Sequence, residues 1–109
     1  MLSIINLMKN IEDLIFDYVR LIPFGLVTTF SEIAKAVGQG VSSGYVVNVL
    51  KKIQDVFYIP SYRVVTTRGG LSKTFPDGGK RGQKKYLKNE GIIVKQNKVN
   101  LQKYGFRYW

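Results

Sequence analysis

The chain has 109 residues, 45% of them hydrophobic, enough for one domain with one core but not for two. It contains neither cysteine nor histidine, which excludes disulfides, thiolate and imidazole catalysis and the common zinc sites, leaving carboxylates, hydroxyls and lysines for any chemistry. Its net charge of +10 is concentrated in residues 51–109, where fourteen basic side chains face three acidic ones; the commonest user of such an excess is a polyphosphate backbone, the alternative a solvated basic face.

No run of residues reaches the length of a membrane-spanning helix. The opening Met1 to Met8 lacks a basic start and leads into an acidic amphipathic segment, so it is not read as a signal peptide. The chain is expected inside the cell, in the cytoplasm with the nucleoid or in the nucleus, and not secreted.

From Ile4 to Leu21 apolar residues recur at helical spacing (Ile11, Leu14, Ile15, Tyr18, Val19), with Glu12, Asp13, Asp17 and Arg20 between them. Ile22-Pro23-Phe24-Gly25 ends that helix. After a short extended piece, Leu26 to Thr28, Thr29 with Glu32 makes a capping box for a helix over Phe30 to Val37, broken by Gly38-Gln39-Gly40. Ser42 or Ser43 caps a third helix to about Ile53, with Val46, Val49, Leu50 and Ile53 on one face and Tyr45, Asn48 and Lys52 on the other. Two short helices joined by a glycine turn form a helix-turn-helix, a pattern that also serves plain helical packing.

Ile59-Pro60-Ser61-Tyr62-Arg63-Val64-Val65 reads as a rigid elbow leading into a strand. The turn Arg68-Gly69-Gly70 and a return past Leu71 predict a hairpin wing. Phe75 to Gly79 is a loop, Lys80 to Glu90 a basic helix with Gly91 after its cap, and Lys95 to Lys98 the turn of a second hairpin. The tail Tyr104 to Trp109 alternates aromatic with small or basic residues, a pattern that suits stacking on bases or, more commonly, docking on the core.

The ordered series Ile22-Pro23-x-Gly25-x-Val27-Thr28-Thr29-Phe30-x-Glu32-Ile33-Ala34, Val46-x-Asn48-x-Leu50, Ile59-Pro60-x-x-Arg63-Val64-Val65, Gly78-Gly79 and Leu87-x-x-Glu90-Gly91 resembles the DNA-binding domain of O6-alkylguanine-DNA alkyltransferases and the alkyltransferase-like proteins that lack the acceptor cysteine. The resemblance runs from about residue 10 to 92, and residues 93–109 are read as a hairpin and an aromatic, basic tail of the same single domain. It implies an α+β fold, mostly helical, of the winged helix-turn-helix type, which binds the minor groove and swings a modified guanine into a pocket. Flipping costs a few kcal/mol, least at a damaged base.

By position the resemblance puts Ser61 where the family has its acceptor cysteine and Tyr62 where it has a histidine, while Glu90 keeps the family's glutamate. A serine hydroxyl without an imidazole is a poor nucleophile toward an alkyl group, so suicidal dealkylation is not expected. The family's base-flipping arginine falls at Gly44, and Tyr45 could wedge the stack in its place. The expected DNA contacts are Thr29, Phe30, Ser42, Ser43, Gly44, Tyr45, Asn48, Lys51, Lys52 and Arg63, the last either contacting phosphate or ordering the elbow. The expected base pocket comprises Phe30, Tyr58, Pro60, Ser61, Tyr62, Phe75, Gly78 and Gly79. No cofactor or metal is expected. The partners are double-stranded DNA carrying a lesion and downstream repair proteins, met by a monomer. Two other classes stay open: a repair enzyme (glycosylase, lyase or endonuclease) using Tyr62, Glu90 or a lysine, and an architectural or regulatory DNA-binding module.

Overall fold

The computed structural model describes residues 10–108 and opens on Asn10, whose side chain accepts from the Asp13 N–H at 2.8 Å and caps the first helix, α1 (Ile11–Arg20). The expected start of this helix at Ile4 lies outside the described residues. A turn at Ile22 to Gly25, where Gly25 takes φ +85°, leads into the two-residue strand β1 (Thr28–Thr29). Thr29 then caps α2 (Phe30–Val37) by accepting from the Glu32 N–H at 3.1 Å, one half of the expected capping box. Glu32 Oε2 does not complete the box, since it has no hydrogen-bond partner among the described residues. Ser42 caps α3 (Ser43–Leu50) in the same way, and α3 stops at Leu50 rather than Ile53. Val46, Val49 and Leu50 are buried, and α3 packs against α2, which in turn packs against α1. This is the expected helix-turn-helix.

The elbow is a turn of 3-10 helix, Ser61–Arg63, running directly into β2 (Val64–Val65). β2 pairs in parallel with β1, in the register Thr28 with Val64 and Thr29 with Val65, a pairing that requires the intervening α2 and α3 as its crossover. The expected hairpin pairing of the return with β2 needs correction, because among the described residues β2 pairs with β1 alone. The chain does turn at Thr66 to Gly70, but the return lies along the second hairpin instead: Val99 N–H donates to Gly69 O and Leu71 N–H to Asn97 O, both at 2.9 Å. That hairpin, β3 (Val94–Lys95) and β4 (Lys98–Val99), turns at Gln96 and Asn97, both left-handed as a two-residue turn of this kind demands.

Between the sheets lies α4 (Gly79–Asn89), whose inner face carries Gln83 and Leu87, both fully buried. Gly91, with φ +81°, closes it in a Schellman arrangement: its N–H donates to Lys88 O and the Ile92 N–H to Leu87 O. A last short helix, α5 (Leu101–Tyr104), brings the tail back to the core. There the Phe106 N–H donates to Val27 O at 2.7 Å and the Tyr108 hydroxyl to Tyr18 O at 2.8 Å. The tail up to Tyr108 is thus a structural clasp rather than a stacking platform.

What locks these parts together is one carboxylate. Glu90, the C-cap of α4, accepts from Arg63 Nη2 at 2.7 Å, from the Tyr62 hydroxyl at 2.6 Å and from the Gly25 N–H at 2.8 Å, while Arg63 Nη1 donates to Ile22 O at 2.9 Å. The Glu90 side chain is 4% exposed and that of Arg63 14%, so both charges are desolvated and each needs the other. Burial by itself would raise the Glu90 pKa, but the hydrogen bonds from Arg63, Gly25 and Tyr62 outweigh it and hold the carboxyl below its ordinary value. Burial and the bond to Glu90 push the Tyr62 phenol up to about 12.

Two outcomes follow from this network. Glu90→Gln leaves the Arg63 guanidinium buried without its counter-charge and is expected to lower stability by about 3 kcal/mol or more, read as a fall in thermal midpoint of about 10 °C. Because the folded carboxyl has the lower pKa, its stabilisation is complete above the unfolded value of about 4.3 and disappears as pH falls through the folded one; the acid limb of a pH–stability curve should flatten in Glu90→Gln. Tyr62 has the opposite sign: its contribution holds below about pH 10 and is lost as pH rises toward 12, and Tyr62→Phe should remove that alkaline limb.

Candidate nucleic-acid interface

Because the inner face of α3 is spent on the core, the helix presents a polar outer face, and its N-terminus is exposed. Ser42, Ser43, Gly44, Tyr45, Asn48, Lys51 and Lys52 are all exposed, so seven of the expected contacts share one surface. Tyr45 stands out from it, 42% exposed although aromatic. Gly44 has room around it: a Cβ built there would meet nothing nearer than Ser42 Oγ at 3.8 Å.

Thr29, Phe30 and Arg63 do not belong to that face. Thr29 is buried and spends its hydroxyl on the α2 cap, and Phe30 is 8% exposed. Arg63 orders the elbow, with its guanidinium committed to Glu90 and to the Ile22 carbonyl, so the alternative of a phosphate contact falls away.

Ser61 is 5% exposed, and its Oγ has no hydrogen-bond partner among the described residues. It lines a cavity between the end of α3, the elbow and the 72–76 loop, with Phe30, Leu50, Lys51, Phe75 and Gln83 also in the wall. The cavity measures about 10 Å³, roughly room for one water and far below the several hundred Å³ of a typical ligand pocket.

Of the eight expected pocket residues, three (Phe30, Ser61 and Phe75) line this cavity, and the other five need correcting. Tyr58 is 64% exposed, its ring lying under the Arg20 guanidinium at 4.8 Å. Pro60 is buried as the hinge of the elbow, outside the wall. Tyr62 points to Glu90 and stacks on Tyr86 with ring centres 4.9 Å apart. Gly78 and Gly79, at φ +94° and +61°, serve to start α4 against the preceding loop. Tyr62 and Glu90 also offer little to a catalytic reading, since burial and the bond to Glu90 keep the phenol protonated, and that carboxylate already accepts from Arg63, Tyr62 and Gly25.

Gln83 and Lys51 are among the wall residues that the sequence reading did not assign to the pocket. Gln83 is the polar member of the inner stripe of α4: its Nε2 donates to Tyr62 O and Val64 O, and its Oε1 accepts from the Ser72 N–H at 2.7 Å. The signal was its i, i+4 spacing from Leu87 within an otherwise charged helix. Lys51 was expected only as a phosphate contact, yet it borders both the outer face of α3 and the cavity.

With this geometry in hand, comparison with known proteins is decisive about ancestry. Residues 10–92 match the family model of the 6-O-methylguanine DNA methyltransferase DNA-binding domain. Alkyltransferase-like protein 1 of Schizosaccharomyces pombe is 34% identical over 95 residues, covering 83% of this chain and 88% of that protein. The DNA base-flipping protein of Escherichia coli is likewise 34% identical over 95 residues, covering 86% of this chain and 72% of its relative. The crystal structure of S. pombe Atl1 with damaged DNA containing O6-carboxymethylguanine superposes with a TM-score of 0.80 at 31% identity, over 92% of this chain and 99% of that one. A helix-turn-helix, an elbow with serine at the acceptor position and a retained glutamate thus place the chain in the 6-O-methylguanine DNA methyltransferase DNA-binding-domain family, among its alkyltransferase-like members.

Proposed function

We propose that this protein binds duplex DNA with the outer face of α3, from the minor-groove side, and holds an extruded modified guanine at Ser61 without taking its alkyl group. It would act as a monomer on DNA inside the cell and mark the site for excision proteins. The observation that carries this reading is Ser61 itself, a buried hydroxyl with no hydrogen-bond partner among the described residues, at the wall of a cavity that adjoins the reading helix. A buried polar atom left unpaired costs about 1–3 kcal/mol, a cost that a hydrogen-bonding base edge or substituent would offset. The relatives support it in their own terms, one being named for base flipping and another crystallised on damaged DNA.

Admitting a base requires the cavity to enlarge, and the 74–76 stretch is its most adjustable wall. Phe75 there makes edge contacts with Tyr62 and Tyr86, while Thr74 and Pro76 are partly or fully exposed. The small size of the cavity also favours a second reading, a DNA-binding module with no base pocket.

Fluorescence anisotropy with matched duplexes, one carrying a single O6-methylguanine, separates the two. A clear preference for the modified duplex, with the intact mass of the protein unchanged afterwards, is the expected result. Equal affinities would leave the plain module, and a methyl-sized mass gain would overturn the claim of binding without transfer. Tyr45→Ala should cost more on the modified duplex than on the plain one; equal losses would remove the wedge. Gly44→Arg, which the open surroundings of Gly44 accommodate, should tighten binding to the modified duplex by about tenfold, the 1–3 kcal/mol scale of one well-placed contact.

A further inference from the structure

The outer face of α4 is the most concentrated charge on the molecule. Lys80, Arg81, Lys84, Lys85 and Lys88 are all exposed, and none of them is in an ion pair among the described residues. The nearest acids in sequence are unavailable to them, Asp77 holding the Tyr86 hydroxyl and Glu90 being buried against Arg63. At 3.6 residues per turn, Arg81, Lys84, Lys85 and Lys88 centre roughly 130° round the helix from Gln83 and Leu87. Gln83 shares the cavity wall with Leu50 and Lys51 of the α3 end. The basic arc is therefore turned away from the cavity wall that α4 shares with the α3 end.

We propose that this arc is a second duplex-binding surface, through which one molecule seated on DNA by α3 holds another DNA segment by its phosphates. The inference rests on the DNA-binding reading above. The arc carries no apolar or aromatic side chain, which leaves nothing to anchor the dry centre of a protein interface or to enter a lipid surface. Tyr86 borders Arg81 and Lys85, its hydroxyl held by Asp77; the cations themselves suit a partner recognised mainly through charge, and their spread of about 10 Å along the helix axis spans several phosphates of a double helix.

The test uses the full chain loaded on an immobilised duplex with one O6-methylguanine, washed, then offered a fluorescent unmodified duplex at low salt. The wild type should capture the second duplex, with one protein per duplex pair by native mass spectrometry. Lys84→Gln/Lys88→Gln, both surface changes, should stay on the first duplex yet lose most of the second. Its log affinity for the second should fall less steeply with log salt, by about 1.8 for two lost phosphate contacts. Capture unaffected by the double variant, two protein copies per bridged pair, or competition by an acidic polypeptide but not by free duplex would each overturn the second surface. Failure to bind even the first duplex would sink the DNA-binding reading as well.

Discussion

The fold turns on the buried pair of Arg63 and Glu90. A desolvated ion pair is weak evidence of net stability, since well-packed apolar residues often do as well; what it imposes is geometry. Here the geometry ties three otherwise separate pieces: the turn after α1 through Ile22 and Gly25, the elbow through Tyr62 and Arg63, and the end of α4 through Glu90. Ser61 sits one residue before this knot, so its position relative to α3 is fixed by a carboxylate that never faces a ligand. In the alkyltransferase enzymes the resemblance gives the equivalent glutamate a histidine to hold. Here the phenol of Tyr62 takes the histidine's place, and the same oxygen has become part of the frame.

That exchange explains how the site can keep its shape while its chemistry changes. Tyr62 fills the histidine position with a larger ring that stacks on Tyr86 and leans edge-on to Phe75, so the aromatic cluster backs the elbow and reaches the wall of the Ser61 cavity through Phe75. Gln83 then supports the elbow from behind with two carbonyl contacts. The result is a stiff wall carrying a small hydroxyl, suited to sensing a group by hydrogen bonding and unsuited to attacking it.

Much of this was legible in the sequence, and the rest was not for identifiable reasons. The helices were readable because caps and stripes are local: Thr29 with Glu32, Ser42, and Gly91 after Glu90 mark their own ends. The partner of β2 was misjudged because strand pairing is not local; nothing near Val64 says that it is Thr28 rather than Leu71. The exposed face of α3 followed from helical period alone. The pocket did not, since Tyr58 and Tyr62 flank Ser61 in sequence but point elsewhere, one to Arg20 and one to Glu90. Proximity along a turn of 3-10 helix says little about which side chains share a cavity.

The distribution of charge adds a last constraint. In the proposed mode the contact is a nearly neutral helix followed by Lys51 and Lys52, which would depend on shape and draw little from long-range attraction there. The attraction would come from the other half of the chain, where α4 carries exposed cations. On the proposed reading, non-specific affinity and lesion recognition would be carried by different surfaces. Separating them lets the strongly salt-dependent contact keep the protein near DNA while α3 is released and reseated, which is what a search for rare modified bases along a long polymer demands.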